Sequence, residues 1–441
     1  MDTSRVAIAR ALAVAFLAGP LDSDDMFERG ARLLGRRWRW LRPLSRRVSA
    51  RFAHGPRPRK ADVVQFLLGD DGFVRACKAH ELKLVGRLGV RRAMFPVQSA
   101  QLWSVPAICN SRDLANWLGI GIQELEWFAD LRGTAARQVP GRLSHYHYSV
   151  LAKRFRQLRR LEAPKPRLKA VQRRILKGIL EQIPPHQAAH GFRRGGSIKS
   201  FAAPHTDKRV VLRIDLRDFF PSISLTRVQA LFRTVGYPEE IADLLAGLCT
   251  HVTPAAVWED DTLDSSATST GDAQRRYARA HLPQGAPTSP ALANLCAYRL
   301  DCRLAGLARA SGGVYTRYAD DLAFSGNREL ERGVKRFHVH ACATAMEEGF
   351  AVHHRKTRIM RQGVRQRLAG IVVNKHVNVL RADYDRLKAT LTNCIRRGAE
   401  HENRMTCPDW RSHLLGRVTF VESVNPTRGR QLRELFERID W

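Results

Sequence analysis

Apolar residues follow two different periods in the second half of the chain. RVVLRIDL is a β-branched run typical of a buried strand, and VYTRYADDLAFSG predicts a strand, a tight turn and a second strand. Between them, helical spacing links five apolar positions, Leu225, Val228, Leu231, Phe232 and Val235. A helix over residues 335–348, short strands over 350–373 and a basic helical tail follow. Such irregular alternation of strands and helices predicts an α+β fold.

The first half of the chain is predicted to be mainly helical. SRDLANWLGIGIQELEWF has the apolar spacing and the central Gly119 of a helix-turn-helix. Any tight helical hairpin needs the same features, so we interpret this segment as a structural hairpin. Residues 6–19 superficially resemble a signal peptide, but Arg10 interrupts a run too short to span a bilayer. We therefore predict a surface helix there.

The net charge of the chain indicates what kind of molecule it binds. The chain has 74 Lys and Arg against 42 Asp and Glu, a formal charge of +32, which predicts binding to a polyanion and above all to nucleic acid. An acidic membrane surface is the competing interpretation. Near the N-terminus, GRRWRWLRPLSRRVSARF mixes arginine with aromatic residues that could stack on bases, although a solvated helix face would look the same. Eight scattered cysteines without a CxxC pair predict a cytoplasmic protein without structural zinc.

Three aspartates stand where strands end. Asp215 closes the VVLRIDL strand, and Asp320 and Asp321 lie in the turn of the strand pair. A hairpin beside the first strand would bring these acids together. Nucleotide polymerisation needs two divalent ions about 3.5–4 Å apart, and Mg²⁺ prefers oxygen ligands. The sequence therefore predicts a site for two Mg²⁺ ions, with Mn²⁺ as an alternative.

At these motifs the sequence resembles the reverse transcriptase family. IDLRDFF, LPQGAPTSP and YADD match the three palm motifs in order, and LAGIVVN matches the primer-grip region. The resemblance implies a right-hand polymerase in which Asp215, Asp320 and Asp321 are the catalytic carboxylates. The same three residues, with Leu216, are the implied metal-binding set, and Asp215 and Asp320 are its principal ligands.

The resemblance also implies a set of nucleotide-binding residues. Phe220 lies where the family places a bulky gate that excludes a ribose 2′-hydroxyl, so the enzyme would select deoxynucleotides. Either Phe219 or Phe220 could instead be a core residue. Lys356 matches a palm lysine that can protonate pyrophosphate, with a solvated surface lysine as the alternative. The complete implied set is Arg159, Arg217, Asp218, Phe220, Gln284, Gly285 and Lys356.

Upstream segments narrow the resemblance to bacterial retron reverse transcriptases. These segments are LRRLEAPKPRLKAVQRRIL, IPPHQAAHGFRRGGSI and APHTDKRVVLRIDLRDFFPSI. Three sites depart from the retron pattern. Phe201 precedes the x-Pro-His region where Asn-Ala is usual, Leu368-Ala369-Gly370 replaces Val-Thr-Gly, and Phe155-Arg156 stands in the fingers turn where Asp-Gly is usual. The residues implied to contact RNA or template are Arg193, Arg194, His205, Leu368, Ala369 and Gly370.

A retron enzyme would bind a structured non-coding RNA, prime from a 2′-hydroxyl of that RNA and extend it with deoxynucleotides. The product would be a branched DNA–RNA hybrid, made in an anti-phage system with a separate effector protein and without a membrane partner. A non-retron bacterial defence enzyme and a group II-like enzyme remain alternatives, and a non-catalytic RNA-binding scaffold is a lesser one. The short stretch after residue 375 leaves room for a thumb and disfavours a group II enzyme with a maturase region.

The implied architecture has four parts. A basic helical extension covers residues 1–129, fingers cover 130–208, the palm covers 209–375 and the thumb covers 376–441.

Overall fold

The computed structural model describes most of the chain. The described residues are 3–53, 55–85, 93–134, 137, 141–152, 158–259, 270–403 and 406–441. They fall into two compact units, each built from two stretches of sequence. The first unit contains Met1–Pro184 and Ile223–Leu292, and the second contains Pro185–Ser222 and Ala293–Trp441.

Helices dominate the structure, and the strands are few and short. The helices are α1 (Thr3–Phe16), α2 (Ser23–Leu33), α3 (Leu41–Phe52), α4 (Lys60–Gly69), α5 (Asp71–Ala79), α6 (Ser111–Leu118), α7 (Ile122–Ala129), α8 (Pro166–Gly178), α9 (Ile198–Ala202), α10 (Leu225–Val235), α11 (Glu239–Cys249), α12 (Ala256–Glu259), α13 (Thr270–Tyr277), α14 (Ser289–Cys296), α15 (Tyr298–Ala310), α16 (Arg328–Glu347), α17 (Arg381–Arg397), α18 (Ala399–Glu402), α19 (Trp410–Val424) and α20 (Pro426–Glu437). The strands are β1 (Tyr146–Ala152), β2 (Leu158–Pro164), β3 (Val210–Arg217), β4 (Gly313–Tyr318), β5 (Asp321–Gly326), β6 (Ala351–Val352), β7 (Arg358–Arg361), β8 (Arg367–Leu368) and β9 (Ile371–Val372). The predicted α+β class is confirmed.

Helices α1–α5 of the first unit share a hydrophobic core of their own. Helix α1 contributes Leu12, Ala13 and Phe16 to this core, and all three are fully buried. The prediction of a surface helix in residues 6–19 is confirmed. Ala7 and Arg10 are exposed on one face, and the apolar face packs into the core. No helix among the described residues is both long enough and apolar enough to cross a bilayer.

The predicted helical hairpin is formed by α6 and α7 in the first unit. Gly119 ends α6 in the left-handed conformation at φ +68°, which glycine adopts at little cost. Leu114, Leu118 and Leu125 are buried, so the apolar spacing serves packing.

The second unit is built on an antiparallel sheet with the strand order β4-β5-β3-β6, and β7 also pairs with β3. Strand β3 is the predicted VVLRIDL strand, and its buried residues alternate little because both faces of the sheet are covered. In register, Asp215 lies opposite Asp321 and Arg213 lies opposite Arg358. Directly opposed residues share a face of a sheet, so all four side chains belong to one face.

The same face of the sheet leads into a core shared with the C-terminal helices. Val211 and Ala323 from the sheet pack in one cluster with Leu387 of α17, Leu414 of α19 and Leu432 of α20. The predicted basic helical tail is therefore anchored by an apolar stripe.

Candidate active site

The three candidate catalytic aspartates meet at one end of the sheet in the second unit. Asp215 lies near the end of β3, directly opposite Asp321 at the start of β5. The backbone N–H of Leu216 donates to the carbonyl of Asp320 at 2.9 Å, which fixes the YADD turn against β3. The predicted strand–turn–strand geometry is confirmed, and it brings together acids that are separated by about a hundred residues in sequence.

The YADD turn is a two-residue hairpin turn. Tyr318 pairs with Asp321, and Ala319 between them has φ +55°. Glycine is favoured at such a position, so alanine there stores a small strain, on the order of 1–3 kcal/mol. Backbone strain of this kind is common at functional sites.

Gly191 packs directly against this turn. A Cβ atom added to Gly191 would lie 2.9 Å from the backbone nitrogen of Ala319. The carbonyl of Gly191 accepts a hydrogen bond of 2.7 Å from the side chain of Asn294. Only a residue without a side chain allows this approach, and no pattern in the sequence indicated that role for Gly191.

We expect Gly191→Ala to lower the polymerisation rate about 10- to 100-fold, because misplacement of catalytic groups by a fraction of an ångström is costly. The Cβ atom would force the backbone of the YADD turn to move. Gly306→Ala in α15 is the matched control, since no atom lies within 4 Å of its added Cβ. Steady-state incorporation on an annealed primer–template checks this. Wild-type activity in Gly191→Ala would show that the turn tolerates displacement.

Asp215 is a nearly buried carboxylate with a cationic neighbour. Its side chain is 7% exposed, and the Nζ atom of Lys356 lies 3.2 Å from its Oδ1. Its backbone carbonyl accepts from the N–H of His353 at 2.7 Å. The Lys356 side chain is 44% exposed, and its contact with the candidate catalytic carboxylate favours the first of its two interpretations, a proton donor at the site.

Asp321 is held by Arg213. The Nε and Nη2 atoms of Arg213 donate to Oδ1 of Asp321 at 2.8 and 2.5 Å. Burial raises the pKa of Asp321 to about 6. Arg213 opposes this shift, and the nearby carboxylates of Asp320 and Asp215 add to it.

These acids suit a divalent cation in chemistry. Hard carboxylate oxygens are the ligands that Mg²⁺ prefers, and crowded buried carboxylates are stabilised by a cation. Within the described residues, no three His, Cys, Asp or Glu side chains are arranged as a metal-binding group. The Asp321 carboxylate is paired with the guanidinium of Arg213. Asp215 and Asp320 remain the principal candidate ligands.

Phe219 and Phe220 have separate roles. Phe219 is 4% exposed and stacks on Phe350 with ring centroids 5.7 Å apart, so it is the core residue of the pair. Phe220 is half-buried and contacts Phe192, whose ring centroid lies 5.9 Å away. Phe192 also approaches Tyr318 at 6.4 Å. An aromatic cluster thus surrounds the candidate gate, and the sequence did not indicate that Phe192 belongs to it.

A fully buried ion pair is hydrogen-bonded to the YADD turn. Arg317 and Asp301 are both 0% exposed, and two guanidinium nitrogens of Arg317 donate to the two carboxylate oxygens at 2.7 and 2.6 Å. A third nitrogen, Nη1, donates to the carbonyl of Ala319 at 3.2 Å and to the side chain of Asn294 at 3.0 Å. Arg317 therefore links the buried core of the unit to the YADD turn.

Gln284 and Gly285 lie in the first unit, on a loop fixed by a buried acid. The N–H of Glu162 donates to the carbonyl of Gln284 at 2.7 Å, and its carboxylate accepts from Thr253 at 2.6 Å and His281 at 2.9 Å. Burial alone would raise the pKa of Glu162, but His281 lowers it overall. The side-chain oxygen of Gln284 is buried without a hydrogen-bond partner among the described residues. Such an oxygen suits a ligand that donates a hydrogen bond.

The other predicted nucleotide and template residues are placed as follows. Arg217 and Asp218 end β3 and begin the following turn, and Asp218 has φ +49°. Arg193 and Arg194 are exposed in the second unit, as a template contact requires. Arg159 lies in β2, and its side chain is outside the described part of the chain.

His205 and Leu368 do not contact RNA directly as predicted, because both side chains are buried. His205 is fully buried, with Nδ1 2.7 Å from Ser325 Oγ and Nε2 2.7 Å from Thr316 Oγ1. Burial lowers the pKa of His205 to about 3, so it is a neutral core residue. Leu368 is also fully buried, in the core shared with the C-terminal helices. Ala369 is partly buried and Gly370 is exposed, so these two stay available as predicted contacts.

Comparison with known proteins identifies the class. The family model for reverse transcriptase (RNA-dependent DNA polymerase) matches residues 152–382. The chain belongs to the reverse transcriptase family and is an RNA-directed DNA polymerase. Enzymes of this family generally use divalent metal ions.

The relatives are retron enzymes. The chain is 37% identical to the Retron Mx65 reverse transcriptase of Myxococcus xanthus, over 77% of this chain and 74% of that protein. It is 36% identical to the Retron Mx162 reverse transcriptase of the same organism, over 73% and 66%. It is 28% identical to the Retron Ec86 reverse transcriptase of Escherichia coli, over 65% and 78%. These identities confirm the predicted resemblance to retron reverse transcriptases.

Proposed function

We propose that this polymerase is the reverse transcriptase of a retron. It copies part of a structured non-coding RNA, begins at a 2′-hydroxyl of that RNA and produces a branched DNA–RNA hybrid. The observation that carries this proposal is the similarity to the Mx65 retron enzyme over three quarters of its length, in a chain that keeps all three aspartates. A role in anti-phage defence with a separate effector protein follows from the same resemblance.

In this proposal Asp215 and Asp320 bind two Mg²⁺ ions, and Asp321 joins the set or balances Arg213. When bound, the ions supply activation of the priming hydroxyl and charge neutralisation of the triphosphate. The protein residues supply position and selection. Arg159, Arg217 and Asp218 approach the triphosphate, Gln284 and Gly285 approach the base and sugar, and Lys356 delivers a proton to the leaving pyrophosphate.

Phe220 selects the sugar in this proposal. We expect Phe220→Ala to reduce discrimination against ribonucleotides about 10- to 100-fold, because it removes a steric clash of about 1–3 kcal/mol with a 2′-hydroxyl. Competition between dGTP and GTP on one primer–template measures the effect. Phe219→Leu is the matched control: it should lower thermal stability and leave discrimination unchanged, since Phe219 is a core residue. Unaltered selectivity in Phe220→Ala would remove Phe220 from the gate.

The retron assignment is tested by initiation. RNA transcribed from the DNA that flanks the gene is incubated with the purified enzyme, Mg²⁺ and dNTPs. A labelled DNA product that shifts to higher mobility after RNase or debranching enzyme supports the proposal. Extension of an annealed primer without any such product would move the chain to the non-retron or group II-like alternatives.

A further inference from the structure

A cavity of about 530 Å³ opens in the second unit beside the catalytic sheet. Its lining residues are Arg213, Arg358, Met360, Arg367, Ala369 and Gly370. Three of the six are arginines, and none of these arginines belongs to the predicted nucleotide or RNA set. The three guanidinium groups therefore stand around a cavity whose wall is otherwise mostly apolar.

Two of these arginines are held against each other by the sheet. Arg213 of β3 lies directly opposite Arg358 of β7, and like charges in this arrangement are destabilising. Arg213 is balanced by Asp321. The Nη1 atom of Arg358 donates to the carbonyls of Arg355 and Thr357, which carry no charge. The side chain of Arg367 has no acidic partner within the described residues. No acidic residue lines the cavity, so a bound anion would neutralise charge that Asp321 leaves unpaired at Arg358 and Arg367.

The backbone of the cavity wall is also open to a ligand. Ala369 has φ +44° and Gly370 has φ +91°. Together they form the two-residue turn between β8 and β9, in which both central residues take positive φ. Gly370 is exposed, and no atom lies within 4 Å of the place a Cβ would take.

The cavity lies beside the candidate catalytic carboxylates. Arg213 and Arg358 share the sheet face of Asp215 and Asp321. Along β3, Arg213 is two residues from Asp215, a distance of about 7 Å between Cα atoms. If the attacking oxygen approaches Asp215 as in the proposed function, an anion in the cavity would lie within about one nucleotide of it.

We propose that this cavity binds the phosphodiester on the 3′ side of the priming nucleotide. The inference rests on the proposed priming from a 2′-hydroxyl. In that reaction the 2′ oxygen loses its proton and forms a bond to the α-phosphorus of a dNTP, and the bond to pyrophosphate breaks. The adjacent 3′ phosphodiester stays intact and must be accommodated beside the attacking oxygen. The terminus of an ordinary primer has no such group.

The test compares initiation with elongation. We expect Arg358→Gln combined with Arg367→Gln to lower branched-product initiation on the flanking-DNA transcript at least about 10-fold, because charge-assisted hydrogen bonds to phosphate are lost. Extension of a DNA primer annealed to an RNA template should stay within about twofold of wild type. Arg361→Gln with Arg365→Gln removes the same charge from the same stretch of the chain, and Arg361 lies on the other face of the sheet. This control should initiate normally.

The two assays distinguish a failure of this inference from a failure of the proposed function. An equal loss in both assays would overturn the inference and make the cavity a general primer contact. No loss in either assay would also overturn it. Failure of the wild-type enzyme to form any branched product would instead overturn the proposed function. Thermal unfolding of each variant and the single Arg367→Gln variant guard against misfolding, since the Arg367 side chain has no acidic partner within the described residues.

Discussion

Asp215→Asn and Asp320→Asn are each expected to reduce DNA synthesis at least about 10³-fold, because a neutral amide cannot replace a carboxylate that binds a divalent ion. Asp215 is nearly buried on the sheet. The backbone carbonyl of Asp320 accepts a hydrogen bond from the N–H of Leu216, the residue after Asp215. RNA binding should persist, since it depends on a net charge of +32 spread over the chain. Single-nucleotide incorporation and salt-dependent RNA titration measure the two properties separately.

Asp385→Asn is the matched control for charge. Asp385 is 58% exposed and pairs with Arg381 on the surface of α17. Its replacement should leave incorporation unchanged. Polymerisation by either catalytic variant within about tenfold of wild type would show that the metal-binding assignment is wrong.

Arg317→Met is expected to destabilise the second unit by about 3–5 kcal/mol, because it leaves the fully buried carboxylate of Asp301 without its counter-charge. It also removes the hydrogen bond from Nη1 to the carbonyl of Ala319 in the YADD turn. We therefore expect loss of polymerisation even at temperatures where the protein stays folded. Urea unfolding and incorporation assays at low temperature measure these two effects.

The chain offers two controls for the buried pair. Arg303→Ala breaks a more exposed contact with Glu348, and it should change stability by about 1 kcal/mol or less. Combining Arg317→Met with Asp301→Leu removes both charges and should recover part of the lost stability. It should not restore activity, because Ala319 still lacks its partner. Equal stability of Arg317→Met and wild type would contradict the account of the pair.

Local patterns predicted the elements that carry the candidate catalytic residues. The β-branched run around Asp215 became β3, and the YADD segment became a hairpin, because alternation and a tight turn act over a few residues. The helix predicted over residues 335–348 begins earlier, at Arg328. Its first two turns are rich in charge, so the apolar pattern alone did not mark the start.

The supporting contacts could not be predicted, because they join residues far apart in sequence. Gly191 meets Ala319, and Glu162 meets His281, only after the chain has folded. The sequence around His205 resembles that of a template contact. In the core, however, both of its ring nitrogens form hydrogen bonds with the hydroxyl groups of Ser325 and Thr316. The polarity of a residue type indicates what it can bind, whereas burial decides which partner it finds.

Purification from cells that carry the native flanking DNA tests the central claim most directly. Nucleic acid extracted from wild-type enzyme and from Asp320→Asn is run on a denaturing gel before and after RNase. The account predicts a discrete DNA band with wild type that shifts after RNase, and RNA alone with Asp320→Asn. The same DNA band with Asp320→Asn, or no DNA with either protein, would contradict it.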